Sequence, residues 1–416
     1  MTINCLERAN CKANFLLIIL ASLLFQCVLN PLNAQVIAPK FGDGLLIVGQ
    51  DSSFYMKVGM RFQTLYATAW DLSDSNTTLD DNSESNFRIR RARLKFDGWA
   101  ITSTFKYKCE LVLVDRNAGA SNNIRSRVGN NLILDAFINW NFYKGLTLWV
   151  GQGKVPGNRE RIISSGDMQF VDRSRLNSLF TLDRDVGFML SYQHKLGEQF
   201  FIQESVSISS GEGENINISN VGGHSYNIKL EALPFGKFKS RGQYVGSAIE
   251  RETSPRLAVA ITYNLNQKAG RERGQKGNFI VDESGKFYGK NLNTFFIDMM
   301  FKYRSFSMMA EYAYRSVANN DPFVYSDAGQ LIGTYYTGHA TNIALGYMTE
   351  NNWELALRWT DVNPTEGVDN HEIQYSFGLS KYIIGHKLKV QSDLTYRSID
   401  LSEDKIIYRL QMDIHF

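Results

Sequence analysis

Apolar and polar residues alternate along most of this chain. Phe54, Met56, Val58, Met60 and Phe62 alternate with Tyr55, Lys57, Gly59, Arg61 and Gln63. Phe105, Tyr107, Cys109, Leu111 and Leu113 alternate with Lys106, Lys108 and Glu110, and Leu132, Leu134, Ala136, Ile138, Trp140 and Phe142 with Asp135, Asn139 and Asn141. The same period of two returns at Phe295–Tyr303 and Trp353–Trp359, and finally from Ile406 to Phe416. Successive side chains of a strand point to opposite faces, so each segment predicts a strand with one apolar and one charged or polar face. Sixteen such strands are predicted, over 53–70, 87–98, 102–114, 131–143, 146–154, 185–195, 199–209, 224–233, 256–265, 292–304, 306–317, 333–348, 353–361, 371–382, 386–396 and 406–416.

A soluble antiparallel sandwich would share this alternation. Three details favour a barrel in a membrane. The strands are long enough for a tilted span. Aromatic rings crowd their ends, as in Tyr66/Trp70, Trp140/Tyr143 and Tyr312/Tyr314, where they suit a membrane–water boundary. The polar faces carry full charges in mid-strand, which suits a watery lumen. The expectation is an all-β transmembrane antiparallel barrel of about 16 strands. Lys144-Gly145, Arg304-Ser305 and Ile384-Gly385 read as short periplasmic turns, and 71–86, 115–130, 266–291, 318–332 and 361–370 as outer loops. Pro156, Pro234, Pro255, Pro322 and Pro364 fall in connections or at strand ends, where no ladder donor is needed.

Residues 1–34 read as a signal peptide. Arg8 and Lys12 precede the apolar run Phe15–Phe25, and the small Ala34 stands before Gln35. The expected organisation is leader 1–34, a short periplasmic lead-in 35–52 and an outer-membrane barrel 53–416. Three of the four cysteines lie in the leader, leaving Cys109 as an apolar filler on the lipid phase. Removing Glu7, Arg8 and Lys12 with the leader takes the 45 basic and 42 acidic residues to 43 and 41. That balance gives no sign of a nucleic-acid binder.

The segment 151–187 breaks the alternation and is rich in arginine. It carries Gly151, Gln152, Lys154, Pro156, Glu160, Ser164, Ser165, Phe170, Asp172, Arg173, Ser174, Arg184, Asp185 and Gly187 in that order. With Phe87–Arg93, Ser210–Asn215, Glu311-Tyr312 and the ending Tyr408–Phe416, the chain resembles the porin O/P family, the phosphate-selective porins of bacterial outer membranes. Gly157 departs from that pattern, which usually has an aromatic there. The resemblance covers nearly the whole mature chain. It implies a 16-stranded barrel, usually trimeric, with a loop folded inward as a constriction. It also implies passive diffusion of small anions such as phosphate or polyphosphate.

Selecting an anion needs cations along a narrow, partly desolvated path. Arginine suits an oxyanion because its planar fork donates paired hydrogen bonds. The inward-phase candidates are Lys57, Arg61, Arg91, Arg93, Lys95, Lys106 and Lys108 on three early strands, faced by Lys154, Arg159, Arg161 and Arg173 on the constriction segment. The bland alternative is that these cations pair with Asp97, Glu110, Glu160, Asp167 and Asp172 and only hold the architecture. Acids also occupy the lumen phase, at Asp135, Glu231, Asp298, Glu311, Glu354, Glu372, Asp393 and Asp413. A general diffusion pore therefore stays open as an alternative.

An outer-membrane barrel enzyme is the third reading. The six histidines (His194, His224, His339, His371, His386, His415) are scattered, no Gly-x-Ser-x-Gly nucleophile elbow occurs and no zinc cluster is present. No cofactor or metal is expected, and Asp80, Asp81 and Glu84 read as a solvated loop. A plugged 22-strand transporter would need a longer chain. The terminal Phe416 resembles the insertion signal read by the barrel-assembly machinery, with outer-membrane lipid as the remaining partner.

Overall fold

In the computed structural model, residues 35–37, 40–72, 83–115, 132–216 and 219–416 are described. The expected leader, and most of the expected outer loops 71–86 and 115–130, lie outside these residues, as do Asp80 and Asp81.

Sixteen antiparallel strands close on themselves. They are β1 (Phe54–Leu72), β2 (Ser83–Ala100), β3 (Thr102–Asp115), β4 (Ile133–Tyr143), β5 (Leu146–Lys154), β6 (Arg184–Leu196), β7 (Phe200–Ser209) and β8 (Ser225–Leu233). The second half is β9 (Glu252–Ala269), β10 (Lys290–Arg304), β11 (Phe306–Val317), β12 (Gly338–Met348), β13 (Trp353–Pro364), β14 (Glu372–Ile384), β15 (Leu388–Ile399) and β16 (Asp404–His415). Each pairs with its chain neighbour, and β16 returns to β1 with register from Asp404↔Leu72 to His415↔Arg61. Closure leaves no barrel edge unpaired, which a strand protein in lipid requires. A short hairpin, Gln35–Ile37 with Leu45–Val48, pairs onto the start of β1 beside the C-terminus, so the lead-in extends the sheet.

The expected phase holds. Along β10, Leu292, Thr294, Phe296, Asp298, Met300 and Lys302 are buried inside, while Ile297 faces out. The outer surface carries exposed apolar and aromatic side chains strand after strand, among them Trp140, Tyr143, Tyr312 and Tyr314. Cys109 is half-buried and His339 faces out beside Tyr312. The three predicted short turns all lie at the end that holds Phe416 and the lead-in hairpin, the terminal end. At Gly145 φ is +79°, and a Cβ would stand 2.3 Å from the Gln193 carbonyl oxygen, so a side chain is excluded there.

One expectation needs correction. Residues 333–348 do not form one strand. Leu331–Thr334 pairs instead with Phe323–Tyr325 in a separate hairpin, because Tyr335 is tucked under it with its hydroxyl donating to the Ala269 carbonyl. At the terminal end, the connection 234–251 between β8 and β9 is long, and Phe238, Gln243, Ser247 and Ala248 are buried in it.

Candidate functional site: a basic cavity beside an inward loop

Residues 155–183, between β5 and β6, fold into the barrel and carry two short helices, α1 (Arg159–Ile162) and α2 (Arg175–Phe180). A loop inside a barrel has carbonyls and amides with no ladder partner, and each must find one. The wall supplies them. Lys229 donates to the Gly157 carbonyl (2.7 Å), Arg358 to that of Asp172 (2.7 Å), Lys389 to that of Met168 (3.1 Å) and Arg315 to those of Leu179 and Phe180. The wall carboxylates accept the amides: Glu311 from Glu160 (2.7 Å) and Asp393 from Val171 (3.0 Å).

Apolar side chains complete the seat. Ile163, Met168 and Phe170 pack on Ala258, Met300, Met309, Ala344 and Ala356; Leu176, Leu179 and Phe180 pack on Phe296, Ala313, Ala340 and Val362. The inner wall is small where the loop presses on it. A Cβ on Gly346 would lie 1.9 Å from the Gln169 amide nitrogen, and one on Gly378 3.1 Å from the Phe170 ring.

The seated loop covers one side of the lumen. On the other it leaves a cavity of about 440 Å³ against β2–β6. Nine basic side chains line it (Arg91, Arg93, Lys108, Lys154, Arg161, Arg173, Arg184, Arg241 and Lys276) against three carboxylates, Glu110, Asp135 and Glu214. Six of the eleven candidate residues meet here: Arg91, Arg93, Lys108, Lys154, Arg161 and Arg173. Arg93 holds Glu110 at 3.0 Å; Lys108 bridges Glu110 (2.7 Å) and Asp135; Arg91 donates to Gln63 at 2.7 Å. Lys154 donates to the Ile162 and Ile163 carbonyls (3.1 and 3.2 Å), and Arg173 to those of Glu160 and Ile163 (3.0 and 2.8 Å). Arg161 and Lys276 share Asp183.

The other five candidates do not line the cavity. Arg61 is fixed on Asp413 (2.7 Å) and donates to the Ser165 hydroxyl (2.7 Å), tying β1 to the loop. Arg159 is fully buried between Glu231 (2.8 Å) and Asp298 (2.7 Å), where its role is anchorage. Lys95 pairs with Asp97 at 2.9 Å, and Lys57 and Lys106 lie toward the terminal end of their strands. The four on strands share the inward phase of Arg93; height along the barrel and cover by the loop separate them from it.

Three lining residues escaped the sequence reading. Arg184 was visible as part of the motif, and its pair with Asp135 (2.6 Å) opens β6. Lys276 and Arg241 come from connections 270–289 and 234–251, which carry no strand phase to read.

The loop cations are short of negative charge. Burial, then the charges of Arg173 and Arg184, push the Arg161 guanidinium well below its ordinary range. Burial lowers Arg173 to about 10 despite the pull of Glu160. Burial, then Arg161, lowers Lys276 to about 7. Cations destabilised in this way gain from any anion that enters among them. Arg159 moves the other way: Asp298 and Glu231 raise it in spite of burial. Among the described residues, no cluster of His, Cys, Asp and Glu is built to hold a metal.

The family model described as phosphate-selective porin O and P matches residues 62–404. Among solved structures, the loop L8 deletion mutant of OmpT from Vibrio cholerae aligns with a TM-score of 0.51 at 10% identity, over 87% of this chain and 99% of that one. The anion-selective porin from Comamonas acidovorans aligns at 0.50 and 9% identity, over 87% and 99%. The channel DcaP of Acinetobacter baumannii aligns at 0.50 and 12%, over 87% and 97%. At such identities these likenesses speak for the fold. No curated protein matches the sequence.

Proposed function

We propose, because this chain belongs to the family of phosphate-selective porins O and P, that its lateral basic cavity is a passive path for small anions, phosphate among them. The protein is an outer-membrane porin, integral to the membrane through its strands. The observation that carries the anion reading is the lining of the cavity, nine cations against three carboxylates in a chain whose overall charge is nearly balanced. Such an excess in a narrow, partly desolvated path attracts anions and offers donors in place of their hydration. The arginine forks suit the oxygens of phosphate, and the lysines act as point charges.

Further parts of the reading follow the family. The end with the termini faces the periplasm, the chain assembles as a homotrimer, and Phe416, whose ring packs near Phe62 and Phe41 on the outer face, serves the assembly machinery. The test is the reversal potential of single channels in a potassium chloride gradient, followed by phosphate titration of the chloride current. Anion preference with phosphate block is expected. A cation preference would sink the reading, and anion current without block would leave a general diffusion pore.

A further inference from the structure

The terminal-end connection 234–251 enters the barrel and meets the inward loop from below. The Gly246 amide donates to the Asp167 carbonyl (2.8 Å), Arg159 donates to the Gln243 carbonyl (3.1 Å), and Lys302 holds the carbonyls of Val245 and Ser247 (2.8 and 2.6 Å). Its tip is fixed too: the Lys239 amide donates to Glu252 (2.7 Å) and the Ser240 hydroxyl to Glu250 (2.8 Å). Between these anchors Ser240 and Arg241 are both left-handed, with φ of 45° and 59°. Two successive non-glycine residues in that region cost energy and persist only where the surroundings impose them.

That backbone presents Arg241 to the basic cavity. Its side chain is exposed and lies over the Tyr244 ring at 5.3 Å, with Arg159 at 5.6 Å from the same ring. The Tyr244 hydroxyl donates to Glu231 at 2.5 Å, so the platform is rigid. A ring face steadies a guanidinium without neutralising it. Arg161, Arg173 and Lys276 reach the cavity from connections at the opposite end; Arg241 reaches it from the terminal end.

We propose that Arg241 contacts the permeating anion and sets selectivity, as the station nearest the terminal mouth. This rests on the anion-channel reading. The test uses the purified protein in planar bilayers, with R241Q, R241K and, as control, K237Q. Lys237 is a cation of the same connection that donates to Gln193 (2.6 Å) and does not line the cavity. R241Q is expected to lower the chloride-to-potassium permeability ratio about threefold, the loss of one weakly screened charge, while R241K and K237Q keep the parent ratio. An unchanged ratio in R241Q, an equal fall in K237Q, or an R241Q barrel that does not fold would each overturn the assignment. A parent channel that prefers potassium would defeat the anion reading separately, because Arg241 is judged by the change from parent to variant.

Discussion

Two arginines of the inward loop, two residues apart, do opposite work. Arg159 neutralises Glu231 and Asp298 in full burial, whereas Arg161 faces the cavity. Removing a buried partner strands the charges it served, so R159M should cost about 3–5 kcal/mol of stability, read as a lowered unfolding midpoint in detergent. R161M leaves Asp183 paired with Lys276, so it should unfold closer to the parent midpoint than R159M and show its effect in permeability instead. Lys276 gives the pH dependence. Its ammonium, lowered to about 7, is charged below that pH and neutral above it. Anion preference should therefore weaken as pH rises from about 6 to 8, and K276Q should flatten that change in reversal-potential measurements. None of this could be read from residue type alone. The alternation told which side chains point inward, and it was right for Arg61 and Arg93 alike. Only the packing shows that Asp413 and Ser165 tie the first to the loop, while the second holds Glu110 in the lining of the cavity.

Strands and loops differ in how openly the chain declares them. A strand half in lipid must alternate, so all sixteen were legible, with errors confined to their ends. Irregular segments obey no such period. The inward loop was visible because its arginine-rich motif interrupts the pattern, yet the partly buried 234–251 reads as an ordinary connection, its anchors scattered over Glu252, Lys302 and Asp167. The seat of the inward loop offers a direct test. Gln169 donates to Glu354 at 2.9 Å over Gly346, where even a Cβ would intrude. G346L should displace the loop toward the cavity and change single-channel conductance, with strand content by circular dichroism unchanged. A conductance equal to the parent's would mean that Gln169 simply moves aside.

For the molecule as a whole, the near balance of 45 basic and 42 acidic residues resolves into two regions. Of the eight lumen-phase acids, Glu231, Asp298, Glu311, Glu354, Glu372, Asp393 and Asp413 lie away from the cavity, engaged with the loop or with wall bases; Asp135 alone lines it. The wall under the loop mixes both signs, while the cavity keeps the excess of cations. Replacing 157–181 by a short turn should thus raise conductance and bring the permeability ratio toward one, a result that bilayer recording can check. Lys154 and Arg184 are already register partners, so β5 and β6 can be joined there without disturbing a strand. The consequence is evolutionary. A broad, indifferent channel and a discriminating one can share every strand of this scaffold and differ by one insertion, so a lineage could pass between the two without redesigning its barrel.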